Sequence, residues 1–130
     1  MTTPLNQLDH QGRRTGPWEE RFTDGTTSGV GSYDEGQKTG EWIYYFRNGR
    51  VKATGAYLHG ELIGPWEWYR ESGLPLQTGA FRDGQQDGRW RRYHASGELL
   101  DVGSYLAGRK VGEWRTYDAS GALVRTKQHQ

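Results

Sequence analysis

The sequence predicts an all-β fold, a single elongated and twisted antiparallel meander of repeated β-hairpins. Three observations predict it. Trp18, Trp42, Trp66, Trp90 and Trp114 stand 24 residues apart, each two residues after a glycine. Nineteen of the 20 glycines fall in four columns of the same period, with only Gly29 outside them. Between the glycines lie short segments rich in Trp, Tyr, Val and Thr, and glycine recurs too often for a helix to reach a useful length. A period in the range of roughly 20–50 residues marks a repeat array. In such an array each unit packs mainly on its neighbours, so function belongs to a long surface rather than to one pocket.

In chain order, residues 1–11 match no column and are expected to form an N-terminal cap or a disordered segment. Residues 12–124 form the repeat domain, about four and a half copies. Residues 125–130 are expected to fray, because Lys127 and His129 stand where a glycine and an aromatic are due. Within a unit, Asp24-Gly25, Asn48-Gly49, Ser72-Gly73, Ser96-Gly97 and Ser120-Gly121 are expected to make the tight hairpin turn. Strands such as 41–46 and 51–57 flank it. A Gly-x-x-x-Gly connection follows, as at 36–40 and 60–64, using glycine's freedom at positive φ. Pro17 and Pro65 suit a strand start, and Pro75 removes a ladder donor and predicts a local bulge or gap. The sum is roughly nine or ten strands in a sheet that twists.

Two further aromatic columns run Tyr45, Tyr69, Tyr93, Tyr117 and Tyr33, Tyr57, Phe81, Tyr105. Trp42 and Tyr45 are three positions apart, which on a regular strand means opposite faces unless a bulge intervenes. Hydrophobic residues make up only 32% of the 130, but 17 are aromatic, each able to bury on the order of 150–250 Å². There is no cysteine, which excludes disulfides, thiol catalysis and Cys-type zinc sites. No apolar run approaches the roughly 20 residues that span a bilayer, and the start lacks a signal-peptide core, so a cytoplasmic protein is expected. Net charge is +1, unevenly spread: residues 88–111 carry five bases and two acids, residues 16–39 two bases and five acids.

The pattern Gly-x-Trp-x-x-Tyr-x-x-x-Gly, then Gly-x-Tyr-x-x-Gly, resembles the MORN repeat (membrane occupation and recognition nexus), most closely its bacterial variant. Gly40-Glu-Trp-Ile-Tyr-Tyr-Phe-Arg-Asn-Gly49 with Gly55-Ala-Tyr-Leu-His-Gly60 carries it, as does Gly88-Arg-Trp-Arg-Arg-Tyr-His-Ala-Ser-Gly97 with Gly103-Ser-Tyr-Leu-Ala-Gly108. The first copy departs, with Arg21 for the aromatic and the extra Gly29. The resemblance implies a non-enzymatic platform for proteins or lipid headgroups, and bacterial proteins of this type are often antitoxin-like or immunity-like. It carries over no defined site, since the shared residues are the structural ones.

The four histidines show no ligand spacing, no nucleophile elbow occurs, and neighbouring carboxylates such as Glu19-Glu20 point to opposite strand faces. No catalytic residue, cofactor or metal is therefore expected. What remains is recognition. Four aromatics do not recur: Phe22, Tyr44, Phe46 and Trp68. Tyr44, Trp68 and Arg92 share one column; Phe46, Arg70 and His94 are expected to form the next column on the same face. Tyr, Trp and Arg are the residues enriched in binding hot spots. These six are the candidate partner-binding residues, and the expected function is a scaffold for a partner protein, a toxin or effector, with thickening of the core as the competing reading. A membrane-surface scaffold using Arg89, Arg91, Arg92, Arg109 and Lys110 is the alternative, weakened by the low net charge. Nucleic acid is disfavoured because bases and acids are interleaved. Open sheet edges also expose the chain to pairing into a homodimer.

Overall fold

A computed structural model describes residues 4–130. The first three residues of the expected cap lie outside it. The described residues form one antiparallel sheet without helix. Its strands are β1 (Gln7–Leu8), β2 (Arg14–Arg21), β3 (Thr27–Asp34), β4 (Gln37–Tyr45), β5 (Val51–Leu58), β6 (Glu61–Tyr69), β7 (Pro75–Arg82), β8 (Gln85–Gln86), β9 (Gly88–Tyr93), β10 (Leu99–Leu106), β11 (Arg109–Tyr117) and β12 (Leu123–His129). Neighbours in sequence are neighbours in the sheet, with β8 pairing only β7. The count exceeds the expected nine or ten because β1 adds a short strand, β8 and β9 are split at Asp87, and β12 is formed.

The two turn types exchange the roles expected of them. The tight two-residue turns are Glu35-Gly36, His59-Gly60, Asp83-Gly84 and Ala107-Gly108, where both residues have positive φ, as a type I′ turn requires. At the Asn48-Gly49 site only the glycine has positive φ, and the Gly49 N–H donates to the Phe46 carbonyl (2.9 Å). This is a type I turn closed by a left-handed glycine. Asn48 instead accepts the Arg50 N–H through its side chain (2.9 Å), as Asp24 does for Thr26 (2.9 Å). Ser72, Ser96 and Ser120 occupy that place in the other rows and do not favour positive φ, so the turn common to all rows asks it of glycine alone.

Each hairpin also bulges twice, once beside the type I turn and once where a strand passes Gly31, Gly55 or Gly103. Pro75 lies at the first kind of irregularity, between Trp68 and Tyr69 on the facing strand, so its missing N–H falls where every hairpin already shifts register.

The glycines at 31, 55, 79 and 103 are platforms for indoles. A Cβ at Gly31 would fall 2.1 Å from Cδ2 of Trp42, and one at Gly55 2.0 Å from that of Trp66. The ring lies flat on bare backbone, and its N–H donates to the carbonyl one residue further on: Trp42 to Ser32 (3.0 Å), Trp66 to Ala56 (3.2 Å), Trp90 to Ala80 (3.1 Å) and Trp114 to Ser104 (3.1 Å). Trp42 is fully buried by this arrangement. Between the indoles stand Tyr33, Tyr57, Phe81 and Tyr105, edge-on: Tyr33 is 5.3 Å and 88° from Trp42, Phe81 5.3 Å and 90° from Trp90. Such pairs contribute about 0.5–1.5 kcal/mol each beyond the area they bury. One face of the sheet is thus an aromatic ladder. The Tyr45, Tyr69, Tyr93, Tyr117 column lies on the other face, where Tyr69 donates to Glu67 and lines a shallow depression with Val51 and Thr54.

At the N-terminus a short strand pairs with β2, and at the C-terminus the tail departs from expectation. Asn6 imitates a strand residue: its amide donates to the Glu19 carbonyl (3.0 Å), accepts the Glu19 N–H (2.8 Å), and its own N–H reaches Pro17 (3.1 Å). Residues 125–129, expected to fray, pair along β11 from Thr116↔Arg125 to Gly112↔His129. The backbone ladder does not need the missing glycine, and the His129 ring replaces the missing aromatic, 6.2 Å and edge-on to Trp114.

Candidate functional site

The six candidate residues separate into two groups. Tyr44 on β4, Trp68 on β6 and Arg92 on β9 lie on the indole face, with Ala53 and Gln77 on the intervening strands. Tyr44 stacks on Trp42 (5.8 Å, 23°), and Trp68 stacks on Trp66 (5.7 Å, 25°) and leans on Trp90 (5.6 Å, 30°). They form a second layer of rings above the ladder, and both remain partly exposed.

Phe46, Arg70 and His94 do not continue that column. They are the first residues of the type I turns, past the strand ends, so strand alternation does not govern them. Arg70 Nη2 donates to the Tyr93 carbonyl (2.9 Å) and His94 Nε2 meets the Tyr117 carbonyl (2.8 Å). Each ties one turn to the next hairpin. Phe46 is half-buried, with Lys52 Nζ 6.0 Å from its ring.

Between Tyr44 and Trp68 lies a groove of about 390 Å³, lined also by Glu20, Phe22, Lys52, Leu62 and Trp66. Its upstream wall is a hydrogen-bonded set: Lys38 Nζ donates to the Tyr44 hydroxyl (2.7 Å), and Tyr44 and Tyr57 share a hydrogen bond (2.9 Å). Lys38 Nζ also sits 4.8 Å from the Trp42 ring and 5.2 Å from that of Tyr57. Burial pushes the hydroxyl of Tyr44 up from its ordinary pKa and that of Tyr57 further. Both are therefore neutral donors at physiological pH. A smaller, more polar hollow of about 240 Å³ follows downstream, lined by Gln77, Gln86, Arg92, Asp101 and Lys110 among others. In it Asp101, the one buried charge among the described residues, takes a fork from Arg92 (Nε at 3.1 and 3.2 Å, Nη2 at 2.5 Å), which holds the guanidinium protonated.

Lys38, Lys52, Leu62 and Phe22 were not among the candidates. The signal for two of them was present: the column Arg14, Lys38, Leu62, Gln86, Lys110 changes character from row to row. Lys52 comes onto this side because it is the extra residue of a bulge, between the pairs Tyr44↔Ala53 and Tyr45↔Val51. Among the described residues no group of His, Asp and Glu is placed to hold a metal, and no helix is long and apolar enough to cross a membrane.

An open sheet of identical hairpins with one continuous aromatic face defines a repeat scaffold. Residues 38–59 and 86–107 match the family model of the MORN repeat variant, each match running along one hairpin from its Trp-bearing strand to the next tight turn, so these two stretches carry the MORN repeat. MORN repeats are in general scaffolds that bind proteins or membranes, and the repeat type is not a catalytic one. No curated protein matches the chain.

Proposed function

We propose that this chain is a non-catalytic scaffold that binds a partner protein on its indole face, with the groove between Tyr44 and Trp68 as the anchor point and Arg92 beside it, and that it serves in the cytoplasm as an antitoxin or immunity protein that covers a toxin. The observation that carries the reading is the second ring layer. Trp114 is buried with a threonine, not an aromatic, at position 116, so the repeat does not require Tyr44 or Trp68 at the equivalent places. Large aromatics in a partly exposed groove are the residues that dominate protein interfaces. The test has two parts. Affinity purification of the tagged chain from its own host should retain a defined partner, and Trp68→Ala should release it. The antitoxin role requires that the partner alone arrest growth and that co-expression restore it; normal growth without the chain removes that role.

A second reading, a scaffold on anionic membrane, draws on Arg89 and Arg91, which are exposed on β9. Arg91 faces Thr78 and Val102 on the side away from the indoles. Each basic residue near a charged surface contributes about 1 kcal/mol. Arg91→Glu should then weaken sedimentation with anionic liposomes at low salt, and no sedimentation of the unaltered chain ends this reading.

A further inference from the structure

The indole face carries a built-in series of cations, and the series is interrupted. Arg14 lies over Trp18 (4.7 Å), Lys38 over Trp42 (4.8 Å) and Lys110 over Trp114 (4.6 Å). The same place is Leu62 beside Trp66 and Gln86 beside Trp90. The middle of the face is therefore apolar, and the groove between Tyr44 and Trp68 opens there.

The charge around that apolar centre is one-sided. The two carboxylates on the strands of this face are engaged: Asp101 by Arg92, and Glu20 by Arg14 (3.9 Å) and the Tyr33 hydroxyl (3.4 Å). Lys52 at the groove is exposed. At the downstream end, Lys110 lies over Trp114, Lys127 pairs with Trp114 across β11 and β12, Arg125 with Thr116, and the His129 ring adjoins Trp114. No carboxylate of the described residues lies within 4.0 Å of Lys52, Lys110, Arg125 or Lys127. The crowding is felt by His129, whose pKa is lowered by loss of solvent and then by Lys127, Lys110 and Arg125. On the other face, in contrast, Glu19 meets Arg21 (3.2 Å) and Glu113 meets Arg115 (3.4 Å).

We infer that the partner contacts this face through an extended acidic segment bearing one large apolar side chain. The apolar group seats between Tyr44 and Trp68 with an acid against Lys52, and further acids meet the cluster of Lys110, Arg125 and Lys127. This rests on the protein-binding reading above. The geometry sets the spacing. From β6 to β11 there are four strand intervals, roughly 19 Å at about 4.8 Å each. An extended chain covers that in about six residues. The segment thus runs across the strands, with its apolar anchor and its acidic cluster about six positions apart.

The test is selection of random peptides displayed on phage against the full chain, followed by anisotropy titration of the enriched peptides. The expected result is enrichment of Phe, Trp or Leu with Asp or Glu about six positions away. Affinity for such peptides should fall about tenfold in the Lys52→Glu variant and again in the Arg125→Glu, Lys127→Glu double variant, and should fall in ~0.5 M salt. These side chains are exposed, so the fold should survive, as circular dichroism would verify. Arg91→Glu on the opposite face should change nothing. Enrichment of basic or uncharged peptides, failure to enrich any, or binding indifferent to the charge reversals overturns the inference. If such peptides are nonetheless lost with Trp68→Ala, the protein-binding face stands and only the acidic chemistry fails; if they are lost only with Arg91→Glu, both fail. Capture of phosphatidylserine vesicles that is abolished by the Lys127 reversal would assign the cluster to lipid and likewise overturn it.

Discussion

A missing side chain is as much a part of this structure as the largest ones. Gly79 gives Trp90 its seat, and a Cβ there would come within 2.1 Å of the ring. Gly79→Ala is expected to destabilise by roughly 2–4 kcal/mol, because the new Cβ forces the indole off the backbone on which it lies. Gly16→Ala meets nothing within 4 Å and should cost only the strain of its positive φ, about 1 kcal/mol. Urea denaturation of the two variants measures the difference, and equal losses would contradict the seating of indole on glycine. The period alone revealed that these glycines matter, but not why. The sequence shows Gly31 and Trp42 as separate columns, and only the bulge opposite Gly31 brings them together. For the same reason Tyr44 and Trp68 were legible as exceptions, whereas Lys52 was not, since a bulge decides which way it points.

At the level of the hairpin, the turns divide the conformational load. The left-handed first position of the tight turn is held by Glu35, His59, Asp83 and Ala107 at φ near +50°. Ala107→Gly should therefore stabilise by about 0.5–1 kcal/mol, visible as a higher urea midpoint. The type I turns depend on side-chain acceptors. The Asp118 carboxylate takes the Ser120 hydroxyl (2.6 Å) and the Ala122 N–H (3.0 Å), and these bonds lower its pKa, those with Ser120 and Ala122 leading. A carboxyl lowered on folding contributes stability above its unfolded pKa, about 3.9, and loses it as pH falls below that value. His129 has the opposite chemistry and the same direction. Its lowered pKa means that the folded state resists protonation, so stability is complete above pH about 6.5 and declines as pH falls through that value. The protection factors of the β12 amides, exchange rates taken relative to their intrinsic values at each pH, should fall between neutral pH and pH about 5.5, and His129→Gln should abolish the fall. The strand itself was hidden in the sequence because a frayed tail and a paired edge strand differ in backbone hydrogen bonds, which the side-chain pattern of residues 125–130 does not encode.

At the scale of the whole molecule the repeat explains the architecture, and the departures from it explain the surface. The sheet, its direction and its hairpin order were all readable from the 24-residue period, because a unit that recurs without insertion packs each time in the same way. Which face carries a second ring layer was not readable, since Trp42 and Tyr45 are both large aromatics on opposite sides, and only the layering of Tyr44 on Trp42 and Trp68 on Trp66 distinguishes them. The middle of the indole face is the proposed working surface. A photo-crosslinking residue placed at position 52, beside the groove, and in a separate protein at position 91, on the opposite face, tests this directly in the native host. The account predicts a discrete cross-linked partner from position 52 that disappears with Trp68→Ala, and none from position 91. A partner captured from position 91 alone would contradict it.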